Sequence, residues 1–419
     1  MVQRGGYVRA YAGVAVLRER VRRVLPPVVV LFVLAHFSHH LLTALPIPLL
    51  PFIRNEFCLD YTRAALVVSA FSVPYGISQL PSGWLSDRFG PRRLLLVGIS
   101  GVALAGLLVG ISTQYALLLA GLALMGALGG GYHPSAPLLI SSVVEPSRRG
   151  SALGFHMIGG SASYFLAPLV AAGLAASFGW RAPFVGLAIP AFILGIVFYV
   201  LLGRRQKAAS VGQSPSAPTH ADDHEVNWVR LAAFIALSGF LAAALQAVLA
   251  FIPLYLVDVF GYSEPSAAAV IALFYSAGLW AAVVGGYVSD RIGNVPVVAV
   301  LALLTGPSMV LIGLNSSQAL LMGLVLFLGV ALYARAPASE AFVLSESPTN
   351  HRSTVLGVYY FGAMEGNGVL APIVGYLVDR WGFTVAFEIA GLGMMAVALV
   401  CTLVVVRTTR RSRASHARR

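Results

Sequence analysis

Three histidines, His36, His39 and His40, stand at i, i+3 and i+4 in the run AHFSHHLL, which places them on one face of a helix. Imidazole titrates near neutral pH, hydrogen-bonds anions when charged and ligates metals when neutral. Three roles are therefore open: a proton relay or substrate contact, hydrogen bonding between helices, or a metal site. The spacing supplies two metal ligands from one helix, but no nearby carboxylate or Cys pair completes a shell. No metal or other cofactor is expected. Further polar residues, His133, Gln246 and Arg335, stand alone in apolar surroundings. An unpaired arginine there is costly, so Arg335 calls for a partner: Glu340, Glu365 or an anionic substrate. Glu365, in the middle of its own apolar run, is the expected proton carrier, since a desolvated carboxylate holds a proton more readily than an exposed one.

Enzymatic constellations are missing from the sequence. Gly129-Gly130-Gly131 is followed by no Lys-Ser/Thr and lies in an apolar run, so it reads as close helix packing or a bend, not a phosphate loop. No nucleophile elbow and no nucleotide-binding motif occur, which argues against an enzyme and against ATP-driven transport.

The elements that position these residues follow from composition. With 58% hydrophobic and 11% charged residues in a chain of 419, the surrounding solvent must be lipid. A spanning helix needs about 20 mostly apolar residues. Twelve such runs occur, near 28 to 50, 62 to 86, 93 to 112, 115 to 141, 150 to 178 and 182 to 203, then 229 to 257, 265 to 289, 295 to 314, 318 to 345, 352 to 380 and 384 to 407. The first is too long for a secretory signal and is broken by Pro46, Pro48 and Pro51, so it stays as a membrane helix.

The net charge of +12 comes from basic residues placed on one side. Arg4, Arg9, Arg18, Arg20, Arg22 and Arg23 precede the first run; Arg88, Arg92 and Arg93 follow the second; Arg204, Arg205, Lys207 and Arg230 flank the middle. The opposite side has Arg54, Arg63, Arg181 and Arg380. The positive-inside rule then puts both termini and the middle loop in the cytoplasm, with the basic ends on lipid headgroups and not on nucleic acid. Cys58 and Cys401 form no framework. The expected organisation is a basic segment at 1–25, a six-helix bundle at 26–203, a Ser/Pro-rich linker at 204–228, a second bundle at 229–407 and a basic tail at 408–419.

The halves are copies. An offset of 203 residues carries Gly83, Asp87 and Arg88 onto Gly286, Asp290 and Arg291, Arg149 and Gly154 onto Arg352 and Gly357, and Pro134 onto Pro337. That is an internal duplication, and two similar bundles can rock about a site between them. The motif Gly83-Trp84-Leu85-Ser86-Asp87-Arg88-Phe89-Gly90, echoed by Gly286-Tyr287-Val288-Ser289-Asp290-Arg291-Ile292-Gly293, resembles the signature loop of the major facilitator superfamily. The resemblance covers the whole chain and implies an all-α membrane protein of two pseudo-symmetric six-helix bundles. In it, Gly83 and Gly286 let their helices approach the eleventh and fifth, while Asp87, Arg88, Asp290 and Arg291 latch the cytoplasmic side.

Ala35-His36-Phe37-Ser38-His39-His40-Leu41-Leu42, the Pro-rich run to Phe57, and Gly131-Tyr132-His133-Pro134 are similar to the fosmidomycin-resistance branch, which exports small drugs in exchange for protons. That branch carries an acidic residue in the first helix near where this chain has His39-His40. In the superfamily the first, fourth, seventh and tenth helices line the cavity, so the resemblance implies that the helix 1 histidines, His133, Gln246 and Arg335 face one space. The reading is a monomeric secondary carrier of the bacterial inner membrane, proton-coupled, moving a small polar or anionic solute. Antimicrobial efflux by antiport is the first expectation, conferring antibiotic resistance. Uptake of an organic acid by proton symport is the alternative, and a membrane-embedded His/metal enzyme is the rival from another class.

Overall fold

The computed structural model describes residues 27–145, 149–209, 226–348 and 352–416. The basic segment 1–25, residues 210–225 of the linker and residues 417–419 of the tail lie outside the described residues. The described residues are helical throughout apart from short connections. In chain order the first half holds α1 (Pro27–Thr43, continued by Leu50–Phe57), α2 (Tyr61–Phe89), α3 (Pro91–Gly110), α4 (Tyr115–Val143), α5 (Arg149–Phe178) and α6 (Arg181–Ala209). The second holds α7 (Trp228–Asp258), α8 (Glu264–Leu279 and Ala281–Ile292, bent by 41°), α9 (Asn294–Leu314), α10 (Gln318–Glu346), α11 (352–381) and α12 (383–416). Nine of these stretches span a membrane by length and composition, with the bent α8 a tenth. One of the nine, Val355–Thr409, is two crossings, because Gly382 at φ +80° turns the chain back, and the 17-residue Pro27–Thr43 completes twelve. Helix also runs further than expected at two edges: α6 continues to Ala209, and α12 to His416.

Polar caps start the helices where the apolar runs begin. Asp60 accepts from the Arg63 N–H at 2.6 Å, Asn227 from Arg230 at 3.0 Å, and Ser317 caps α10. Prolines interrupt α1 between Thr43 and Leu50, as the sequence indicates. α3 contains a π-helical turn at Val97–Gly101, a geometry frequent at functional sites.

The duplication is visible in the backbone itself. Six described residues have positive φ, and they form three pairs, each 203 apart: Cys58 with Gly261, Gly90 with Gly293, and Gly179 with Gly382. Packing repeats too. A Cβ on Gly126 would lie 2.2 Å from the Phe71 carbonyl oxygen, and one on Gly329 would lie 2.1 Å from that of Phe274. The same backbone contact thus sets α4 on α2 and α10 on α8.

The halves meet where α2 lies against α11 and α5 against α8. The Ser69 hydroxyl donates to the Gly368 carbonyl at 2.6 Å, and a Cβ on Gly375 would lie 2.7 Å from the Tyr61 carbonyl. Gly286 does not act as the motif leads one to expect. Its nearest neighbours are Pro337 atoms on α10 at 3.8 Å, an ordinary contact. The tight position is Gly285, whose Cβ would lie 2.1 Å from the Ala334 carbonyl, so the close approach there is α8 to α10. The surroundings of Gly83 lie outside the described residues.

Candidate functional site

The helix 1 histidines do cluster, and their cluster is larger than their spacing shows. His133 of α4 and His156 of α5 join His36, His39 and His40, all within the first half. The His36 ring stacks on His156 at 4.1 Å between centroids, and His39 stacks on Tyr132 at 4.3 Å. Glycines make the room. A Cβ on Gly160 would lie 2.6 Å from His36 Cε1, and one on Gly130 would lie 2.5 Å from the Tyr75 carbonyl, so α4 presses onto α2 just before Tyr132 and His133.

Backbone carbonyls fix the tautomers, since a carbonyl can only accept. His36 Nδ1 donates to the His156 carbonyl at 2.8 Å, His39 Nδ1 to Gly98 at 2.7 Å, and His156 Nδ1 to Phe32 at 3.1 Å. Gly98 belongs to the π-helical turn of α3. His39 Nε2 then accepts from the Tyr75 hydroxyl at 3.0 Å, so both its nitrogens are used. His40 Nδ1 meets Thr43 Oγ1 at 3.1 Å, at the end of the first segment of α1. By contrast His36 Nε2, His133 Nε2, the Tyr132 hydroxyl and the Ser38 hydroxyl are buried without a hydrogen-bond partner among the described residues. Buried polar atoms are seldom left so, because each costs about 1–3 kcal/mol.

A second polar set sits in the other half. Arg335, 5% exposed on α10, donates from Nη1 to Ser238 Oγ on α7 and to the Tyr359 hydroxyl on α11, both at 2.8 Å. Ser238 in turn meets Ser339 Oγ at 2.7 Å. Among the described residues no carboxylate forms an ion pair with Arg335, and its Nε is buried without a partner. Glu340 lies near the Tyr360 hydroxyl, and its charge acts on both Tyr360 and Arg335. Gln246 lies about 12 Å further along α7 than Ser238, at 1.5 Å per residue, with its Oε1 buried and unpartnered among the described residues. The Glu365 side chain lies outside the described residues. The residues expected to face one space in the first, fourth, seventh and tenth helices fall into two polar sets. Among the described residues no hydrogen bond or ring contact joins them directly, although Tyr164, beside His40 at 4.7 Å, faces Tyr275 of α8 at 5.0 Å.

The two rims differ. At the rim opposite the termini, Arg54 of α1 makes a two-pronged ion pair with Asp258 of α7, and the Tyr61 hydroxyl donates to Asp258 at 2.6 Å. Asn55 donates to Glu264, and Asp379 of α11 accepts from the Tyr61 and Thr62 backbone N–H groups at 2.8 Å. At the other rim, Arg88 lies over the Trp84 ring at 5.4 Å and Arg291 over Tyr287 at 4.1 Å, both exposed. Among the described residues Arg88, Asp290 and Arg291 make no ion pair, and the Asp87 side chain lies outside them. One rim is tied across the halves, and at the other the latch residues Arg88, Asp290 and Arg291 make no ion pair among the described residues.

Comparison with known proteins accounts for this arrangement. The profile of the Major Facilitator Superfamily matches residues 32–279 and again 234–419. The chain belongs to this superfamily. It is 28% identical to the probable 4-methylmuconolactone transporter of Cupriavidus pinatubonensis, over 83% of this chain and 84% of that one. It is 26% identical to the probable sulfoacetate transporter of Cupriavidus necator, over 85% and 89% of the two chains. It is 24% identical to the hexuronate transporter of Bacillus subtilis, over 86% and 89%. In fold it is similar to a POT family transporter crystallised with 5-aminolevulinic acid, at TM-score 0.77 and 15% identity, over 91% of this chain and 96% of that one. This superfamily member is a transporter, not an enzyme.

His156, Ser238 and Tyr359 escaped the sequence reading. His156 carried the same signal as His36, an ionisable residue inside an apolar run, and was findable on that ground. Hydroxyl partners of an arginine carry no such mark.

Proposed function

We propose that the chain carries a small organic anion bearing a carboxylate across the bacterial cytoplasmic membrane, by alternating access and together with protons. One observation carries the reading: a buried Arg335 held by two neutral hydroxyls, with no carboxylate in ion-pair contact and with Nε unpartnered among the described residues, although Glu340 on the same helix acts on it through space. A guanidinium presents donors in a fork that fits a carboxylate, and a buried positive charge gains most from an anion that comes and goes. Relatives named for 4-methylmuconolactone, sulfoacetate and hexuronate transport support an acidic solute of this size.

The proposed direction is uptake. An anion entering against a negative interior pays about 2.3 kcal/mol per charge per 100 mV, which co-transported protons offset. Glu340, on the same helix as Arg335, and Glu365 are the proposed proton carriers. The distribution of basic residues supports cytoplasmic termini, and on this reading the tied rim faces outward and the site opens to the inside. The protein works as a monomer, since each half already supplies one of the two moving bodies.

The test is substrate-induced proton movement: purified protein in liposomes with a pH-sensitive dye inside, offered sugar acids, unsaturated dicarboxylates, phosphonate antibiotics and lipophilic cations in turn. Acidification by a carboxylate that disappears in Glu365→Gln supports proton-linked uptake. Alkalinisation by a phosphonate antibiotic would establish export instead, as the likeness to the fosmidomycin-resistance branch implies.

A further inference from the structure

Arg335 does not explain the histidine cluster, which lies in the other half. We propose that His36, His40 and His133 bind one transition-metal dication of the zinc type and leave its fourth coordination position open.

One ring nitrogen from each of these residues lies within 4.8 Å of the other two. Zinc holds imidazole nitrogens at about 2.0–2.1 Å in tetrahedral geometry, which places them roughly 3.3 Å apart. Closing the trio takes ring rotations and a shift of about 1.5 Å. The His36 tautomer is already set for it: Nδ1 donates to the His156 carbonyl, so Nε2 carries a bare lone pair. Among the described residues that nitrogen is buried without a partner, and so is His133 Nε2.

A lone pair needs a Lewis acid or a donor. An anion would be repelled by it, and no arginine, lysine, Asp or Glu makes a hydrogen bond or ion pair with the trio among the described residues. Each of the other two histidines has its own task. His39 is saturated by Gly98 and Tyr75, and His156 supplies the carbonyl and the stacked ring that orient His36. Three imidazoles without thiolate or carboxylate suit zinc, copper or nickel over magnesium or calcium. Three protein ligands plus an open position is also the arrangement in which zinc accepts an exogenous ligand. A metal role looked unlikely from spacing alone because the third nitrogen arrives from α4, 93 positions beyond His40.

The probes are Zn2+ and Co2+ alone, added to the purified full chain in detergent. The background carries His220→Ala and His224→Ala, which removes the other i, i+4 histidine pair in the sequence. Calorimetry should show one Zn2+ per chain. Its affinity should fall at least about 100-fold in His36→Ala and in His133→Ala, since loss of an outer-shell partner alone costs 10–100-fold. Arg335→Lys, in the other half, should leave it unchanged, which separates this proposal from the transport reading. Should either alanine variant aggregate, the Co2+ spectrum of the parent decides: intense visible bands of a four-coordinate site support the assignment, and a weak six-coordinate spectrum overturns it. Zn2+ binding that persists in both variants, or is missing from the parent, also overturns it.

Discussion

Arg54 and Asp258, 204 residues apart in the chain, are joined by a two-pronged ion pair that ties α1 of one half to α7 of the other. Their side chains are 15% and 22% exposed, so solvent screens the pair and its net worth is about 1 kcal/mol. Tyr61 adds a third contact to the same carboxylate. Asp258→Asn should therefore raise the population with a separated rim about fivefold, since 1 kcal/mol is that factor in an equilibrium. Spin labels on Cys58 and on Val259→Cys, in a Cys401→Ala background, report the separation. An unchanged distance distribution would show that other contacts hold the rim.

Glu56 gives a pH test outside the membrane. Hydrogen bonding to Arg181, aided by the Trp180 N–H and the arginine's charge, holds its carboxyl below the usual value of 4.5, against an opposing desolvation. A carboxyl depressed in the folded state stabilises above its unfolded pKa, and that stabilisation is lost as pH falls through the folded pKa. The contribution is full near pH 6 and shrinks below about pH 4.5. Because the pair is partly exposed, it is worth less than about 1 kcal/mol. Glu56→Gln should lower the thermal unfolding midpoint slightly at pH 7 and converge on the parent near pH 3.

Cys58 adopts φ +48°, whereas its duplicate is Gly261 at φ +69°. A left-handed conformation costs a side-chain-bearing residue about 1–2 kcal/mol, and glycine's greater freedom when unfolded returns about 0.5–1 of that. Cys58→Gly should stabilise the protein by about 0.5–1 kcal/mol. A raised unfolding midpoint in detergent checks it.

The duplicated glycines predict equal harm in both halves. Alanine at Gly126 or Gly329 would drive a Cβ into a backbone oxygen, so each should cost about 1–3 kcal/mol or more through helix displacement. Gly357→Ala, with nothing within 4 Å of its Cβ position, should be tolerated. The yield of monodisperse protein separates the two groups.

The fold was legible because lipid demands long apolar runs and because the duplication repeats rare residues at one offset. Pro46, Pro48 and Pro51 marked the break in α1, and the triple glycine marked the α4 approach. Pairing across the halves was not legible. Arg54 reads as one of a few charges on the sparser side, and nothing local ties it to Asp258. The motif itself misled at Gly286, where the pattern names one glycine and the backbone contact falls on the next, Gly285. For Arg335 the sequence offered Glu340, Glu365 or an anionic substrate as partner, and it gave no sign of the hydroxyls of Ser238 and Tyr359 that the arginine meets among the described residues. Neutral hydroxyls are too common for their positions to stand out.

The central claim is that Arg335 anchors a carboxylate substrate. The measurement is uptake of the radiolabelled carboxylate identified by the dye assay, into liposomes with an inward proton gradient, for the parent, Arg335→Lys and Arg335→Ala. Removing one partner of a buried charge pair costs about 2–5 kcal/mol, so uptake at sub-saturating substrate should fall at least about 30-fold in Arg335→Ala and less in Arg335→Lys. Parent-like uptake by a folded Arg335→Ala protein would contradict the account.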